Sequence, residues 1–212
     1  NAGTDITSLR EFKEADLIHL SWINQGMLSL ANIKRIVRSG KPVVWTMHDL
    51  WTATGICHYA RQCPSFRTGC HNCRLLPRGG GKEDLSRKVW NRKKALYHNA
   101  NIHFITCSRW LEGQARQSAL MKGQRITAIP NPIDTRLFVP TDKAEARLKN
   151  QLPTDRRIIL FVAHRVDDDR KGANYFVEAV NRLADANPHF ANNTCVAAIG
   201  RNSESIASLL HV

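Results

Sequence analysis

Acidic residues are scarce in this chain: 18 Asp and Glu stand against 31 Lys and Arg in 212 residues, a formal charge of +13 with histidine neutral. That imbalance leaves a surface suited to polyanions: nucleic acid, an anionic membrane face or a pyrophosphate-bearing substrate. Long apolar runs are missing too. None approaches the roughly 18–20 residues that a membrane span requires. Neither the G-x-x-x-x-G-K-[ST] loop nor G-x-G-x-x-G occurs, so ATPase and dehydrogenase readings lack their signatures. No initiating methionine and no hydrophobic signal core open the chain, which is expected to be processed or truncated; Asn1-Ala2 could be a tag remnant. With 42% hydrophobic residues the chain can still bury a core, which excludes wholesale disorder, a collagen-like chain and a disulfide miniprotein.

Short apolar runs alternate with helical periodicity. Strands are expected at 16–21, 41–47, 101–106, 124–129, 156–163 and 194–200. Between them fall helices at about 30–39, with Ser29 as cap and Gly40 as stop, and at 84–98, 109–119, 141–150 and 172–187. In the 84–98 helix, Leu85, Val89 and Leu96 are expected on the buried side. Ile158 to Ala163 is apolar on both faces, as in the middle of a parallel sheet covered by helices. The fold class is therefore α/β with Rossmann-like parallel sheets. Pro130 to Pro140 reads as a boundary, giving one domain over 1–140, with a Cys-rich insert at 55–81, and the start of a second over 141–212.

Four features carry chemistry. Cys57, Cys63, Cys70 and Cys73 follow C-x5-C-x6-C-x2-C, a thiolate set suited to one structural zinc; disulfides and plain free thiols are the alternatives. From Arg61 to Lys94, ten basic residues meet two acidic ones, forming either a polyanion-binding patch or a solvated helix face. His48 and Asp49 follow a parallel strand, where open α/β sheets place ligands, and His19 ends an earlier strand; a structural histidine is the bland reading. Arg165, Arg170 and Lys171 precede Gly172 at a helix start, a setting for a diphosphate. Asp167 to Asp169 could instead be a metal-binding loop or solvated capping residues.

Val43-Val-Trp-Thr-Met-His-Asp-Leu-Trp51, Thr106-Cys-Ser-Arg-Trp-Leu111, Ile129-Pro-Asn-Pro-Ile-Asp134 and Ile159-Leu-Phe-Val-Ala-His-Arg165 with Arg170-Lys-Gly172 occur in order. Together they resemble the family 4 glycosyltransferases, retaining enzymes of the GT-B fold, over essentially Asp16 to Gly200. The Cys-rich insert resembles a subgroup that serves capsule, exopolysaccharide or O-antigen synthesis. The resemblance implies a nucleotide-diphosphate sugar as donor, and a lipid-linked or oligosaccharide acceptor. It places His48, followed by Asp49, near the donor sugar, and Arg165, Lys171 and Gly172 at the diphosphate. Asn131 falls in the family's P-N-G-hydrophobic-D turn, with Pro132 in place of the glycine. Ser21 stands where many members have a histidine. The implied enzyme uses no catalytic metal and works in the cytoplasm at the inner face of the plasma membrane, where the basic window would meet anionic lipid.

The family's N-terminal glycine-rich loop and distal E-x7-E are absent from the sequence. An internal fragment with both domains incomplete is therefore expected, inactive alone and prone to self-association through unpaired strands. No nucleic-acid partner is expected. The rivals are a zinc-stabilised basic module that does bind nucleic acid, and a magnesium phosphotransferase built on Asp167 to Asp169.

Overall fold

The computed structural model describes residues 3–211. The chain divides into two compact units, Asn1–Ile133 and Asp134–Val212, with the break inside the proline-rich stretch. In the first unit, β1 (Ile18–Leu20), β2 (Val43–Met47), β3 (Ile102–Thr106) and β4 (Arg125–Ala128) form one sheet, each strand parallel to the next. Helices α1 (Arg10–Glu14), α2 (Leu30–Arg38), α3 (Leu85–Tyr97) and α4 (Arg109–Arg116) complete it. Strand alternation fixes the core: Val43, Trp45 and Met47 of β2 are buried, as are Ile102, Phe104 and Thr106 of β3. Trp45 stacks on Phe104 at 5.9 Å between ring centroids, and Tyr97 meets both rings edge-on. Ser29 and Asn32 close a capping box on α2, whose Ile33 and Ile36 enter the core.

The buried face of α3 differs from the sequence expectation. Leu96 is buried, but Leu85 is 56% exposed and Val89 only half-buried; Ser86, Trp90, Lys93 and Tyr97 join Leu96 inside. Lys93 also leaves the basic window, because its side chain is wholly buried and lends no charge to the surface. The cause is the chain that α3 covers. A short 3-10 turn, Trp51–Ala53, and the residues after it run over the helix with their carbonyls turned inward, and such groups must be paired. Lys93 Nζ donates to Trp51 O, and to Thr54 O and Gly55 O at 3.0 Å each, beneath the Trp51 ring at 3.4 Å. Tyr97 Oη donates to Thr52 O at 3.0 Å, and Ser118 Oγ to Ala53 O at 2.6 Å. Polar demand from the loop outweighed apolar periodicity.

In the second unit, β5 (Arg157–Arg165) and β6 (Thr194–Arg201) pair in parallel, joined through α6 (Ala173–Ala186) and α7 (Pro188–Asn193) and flanked by α5 (Lys143–Lys149) and α8 (Glu204–Ala207). A small core gathers Ala163, Val166, Ala173 and Ile206, with Phe161 against Phe176. Gly200 is obligatory: at φ +145° a Cβ there would lie 1.9 Å from Ala163 O. The expectation that 158–163 sits mid-sheet fails among the described residues. Leu160 and Val162 are exposed, because β5 has one strand neighbour and no helix covers that face. No helix among the described residues is long and apolar enough to cross a membrane.

Replacing Lys93 with Met keeps its stem but orphans three buried carbonyls. Lys93→Met should lower unfolding stability by on the order of 3 kcal/mol, and exposed Lys94→Met by less than about 0.5 kcal/mol. Urea midpoints compare the two; equal midpoints would remove the ammonium from its structural role.

Candidate functional site

The parallel register of β1 and β2 sets Leu20 beside Trp45, so both strands end at the same edge of the sheet. Polar residues bridge them there. His19 Nε2 bonds Thr46 Oγ1 at 2.8 Å, and Ser21 Oγ bonds His48 Nε2 at 3.2 Å, with both histidines exposed. His48 therefore lies at the carboxyl end of a parallel strand, where α/β sheets receive ligands.

Asp49 turns the other way. Its Oδ1 accepts from Trp51 N at 2.8 Å, and its Oδ2 accepts from Trp22 Nε1 at 3.3 Å and pairs with His58 Nδ1 at 2.7 Å. The Asp49 side chain is only 11% exposed, against 33% for His58. Leu50 N donates to His58 O at 2.9 Å and ties the insert back to β2. In the sequence His58 merely follows Cys57, and Trp22 merely follows Ser21. No spacing rule links either to Asp49, whose three partners lie 2, 9 and 27 positions away.

In the second unit, Gly172 adopts the left-handed conformation, φ 77°, and starts α6 with no side chain capping the helix. The first-turn N–H groups are thus open to an anion. Lys171 is exposed and makes no side-chain hydrogen bond or ion pair among the described residues. Arg165 is engaged: its Nε and Nη2 donate to Asp167 at 3.0 and 2.7 Å, and Asp167 also accepts from Asn202. Hydrogen bonds from Arg165 and Asn202 hold the Asp167 carboxyl at about 2. Asp168 is likewise held at about 2 by Arg170, which donates to it at 2.9 Å. Two of the three aspartates thus serve neighbouring arginines. Asn131 is exposed in its loop.

All six cysteines are free thiols. Cys70 is buried and accepts from Gly55 N at 3.2 Å, and Cys57, Cys63 and Cys73 are half-buried. Burial, then the neighbouring Cys73, Cys70 and Cys63, push the Cys57 thiol up to about 11. Burial raises Cys63 as well, but hydrogen bonding with Ser65 and the Arg74 charge outweigh it and leave that thiol below its ordinary value. The donor set suits a soft tetrahedral ion, and the four thiols affect one another. Among the described residues, however, no three His, Cys, Asp or Glu side chains converge as a metal site.

Since the thiolate is the reactive form, chelator-treated protein pulsed with iodoacetamide at pH 8 should label Cys63 well before Cys57. Peptide mass spectrometry reads the order. Labelling at equal rates would contradict these two environments.

Residues 5–137 match the family model described as Glycosyltransferase Family 4. A stretch of 63 residues is 35% identical to the Escherichia coli (strain K12) protein that carries the name colanic acid biosynthesis glycosyl transferase WcaC. That stretch covers 28% of this chain and 15% of the relative, so the chain matches only a small part of that protein's length. The family match takes in more than half of the chain, including the whole four-stranded sheet and the histidines at its edge. The chain belongs to glycosyltransferase family 4.

Proposed function

We propose that this chain is part of an enzyme that moves a sugar from a nucleotide-diphosphate sugar to a growing, lipid-linked glycan during cell-surface polysaccharide synthesis. The observation that carries the reading, beside family membership, is the uncapped start of α6 with Lys171 and Gly172: open N–H groups, and a cation with no hydrogen-bonded partner among the described residues, suit a diphosphate. On this reading the C–O bond between sugar and diphosphate breaks with its electron pair passing to the phosphate, and these groups stabilise the charge that develops. Arg165 joins them by exchanging Asp167 for phosphate oxygens. His48 contacts the transferring sugar. The cations need no catalytic metal beside them, and the transfer is read as retaining, with a hexose as the moving group.

The remaining exposed basic residues of the insert and α3, such as Arg87, Lys88 and Lys94, would meet an anionic membrane surface where a lipid-linked acceptor resides. One zinc ion on Cys57, Cys63, Cys70 and Cys73 would staple the insert; with four protein ligands it would have no open position and no part in the chemistry. Metal analysis of reduced, dialysed protein should then find about one zinc per chain, and a metal-free, folded protein would refute it.

The test of function is sugar transfer from UDP- and GDP-hexoses by the natural protein that carries these residues, assayed in detergent. Lys171→Ala should lower kcat by roughly 10²–10³-fold, the cost of removing one preorganised charge at the leaving group. Lys88→Ala, with no membrane present, should leave it within about twofold. Equal losses would contradict the assignment, and a wild-type protein that turns over no nucleotide sugar would overturn the function.

A further inference from the structure

Helix α3 has two faces at helical spacing, and the fold covers one of them. Ser86, Trp90, Lys93 and Tyr97 are the covered face. Leu85, Val89, Arg92 and Leu96 each stand one residue earlier, so they form a second stripe, rotated by about 100°. This stripe lines a cleft of about 800 Å³ whose other wall is α2, through Leu30, Ala31 and Lys34. Leu96 is buried, but Leu85 is 56% exposed, and Val89 and Leu30 are half-buried. Helical spacing gives Leu85 and Val89 to a core, yet no element among the described residues closes the cleft over them.

The walls are basic. Together α2 and α3 carry eight Lys and Arg and no Asp or Glu. Lys34 and Arg92 line the cleft, one from each wall, both exposed and with no hydrogen-bonded or ion-paired partner among the described residues. A second copy of this face would set like charges against each other, which excludes a symmetric dimer through it. A face that enters a membrane raises its apolar side chains above the polar ones, whereas here they line a recess. An apolar recess between two helices is the seat of a third, anchored by residues at i, i+3 or i+4, and i+7. Ala31 and Ala95 keep the walls low enough for a helix to approach.

We propose that the cleft between α2 and α3 receives an amphipathic helix of an acidic partner protein. The partner's apolar stripe packs on Leu30, Leu85 and Val89, and its carboxylates lie beside Lys34 and Arg92. Apolar burial supplies affinity, and the two cations select an acidic helix over a basic one. The inference goes beyond the transferase reading and does not depend on it, since neither His48 nor Lys171 lines the cleft.

The test uses the purified natural protein and three fluorescein-labelled helical peptides, read by anisotropy. The first places leucines at i, i+3 or i+4, and i+7 among glutamates; the second scrambles that order; the third exchanges each glutamate for lysine. The first should bind at least about tenfold more tightly than either of the others. Lys34→Glu with Arg92→Glu should weaken it about tenfold and make the lysine peptide the tighter ligand, a reversal that unfolding cannot produce. Lys94→Glu, two residues on from Arg92 and so on the far side of α3, should change binding by less than about twofold. Val89→Asp should abolish peptide binding and leave binding to phosphatidylglycerol vesicles as it is in the wild type. Equal binding of the ordered and scrambled acidic peptides would reduce the effect to net charge and overturn the proposal. Loss of vesicle binding in Val89→Asp would assign the cleft to lipid and overturn it as well.

Discussion

A buried ammonium holds the segment that follows β2 in place. Five successive carbonyls, from Trp51 to Gly55, face inward, and α3 with Ser118 supplies a donor to every one of them. Lys93 and Tyr97 lie four apart on α3, the spacing that brings two side chains to one helix face. Burial drives Lys93 well below the ordinary lysine range, while Cys70, Asp49 and Cys57 pull it back; three carbonyls match the three N–H groups of the charged form. The Trp51 ring face adds attraction that strengthens on desolvation. Burial raises the Tyr97 phenol, which stays a donor. The segment so pinned joins Asp49 to His58, and its first amide, Trp51 N, is bonded to Asp49. The segment is thus backed by a packed helix, which holds geometry better than a free loop.

The two units carry complementary chemistry. The first presents histidines, a hydroxyl and an indole, groups that read sugar hydroxyls and carbon faces. The second presents cations and open helix N–H groups, which read phosphate. Arg165 is occupied by Asp167 at the surface, where ion pairs contribute little net stability, so releasing it to a diphosphate costs little. Lys171 needs no such exchange. On the proposed reading, a diphosphate would be met first by Lys171 and the α6 N-terminus.

Much of the architecture was legible because it follows from local pattern. Short apolar runs marked β2 and β3, Ser29 marked the start of α2, and Gly172 marked the start of α6. Where burial depends on a partner, pattern misled. Leu85 looked like core by helical spacing, but Lys93 took the inside because a loop's carbonyls demanded it. The apolar run at 158–163 promised a central strand, yet its cover is not among the described residues. The strand-end location of His48 could be read, since strand ends follow from strand calls. Trp22 and His58 could not, because a shared hydrogen bond to Asp49 across 27 and 9 positions leaves no trace in spacing.

The central claim is that sugar is received at the edge where β1 and β2 end. A crystal structure of the natural protein with a nucleoside diphosphate and a glycan acceptor tests it directly. The account predicts a sugar ring against His48, and phosphate oxygens on Lys171 and the first N–H groups of α6. Sugar and diphosphate bound elsewhere, with His48 and Lys171 bare, would contradict it.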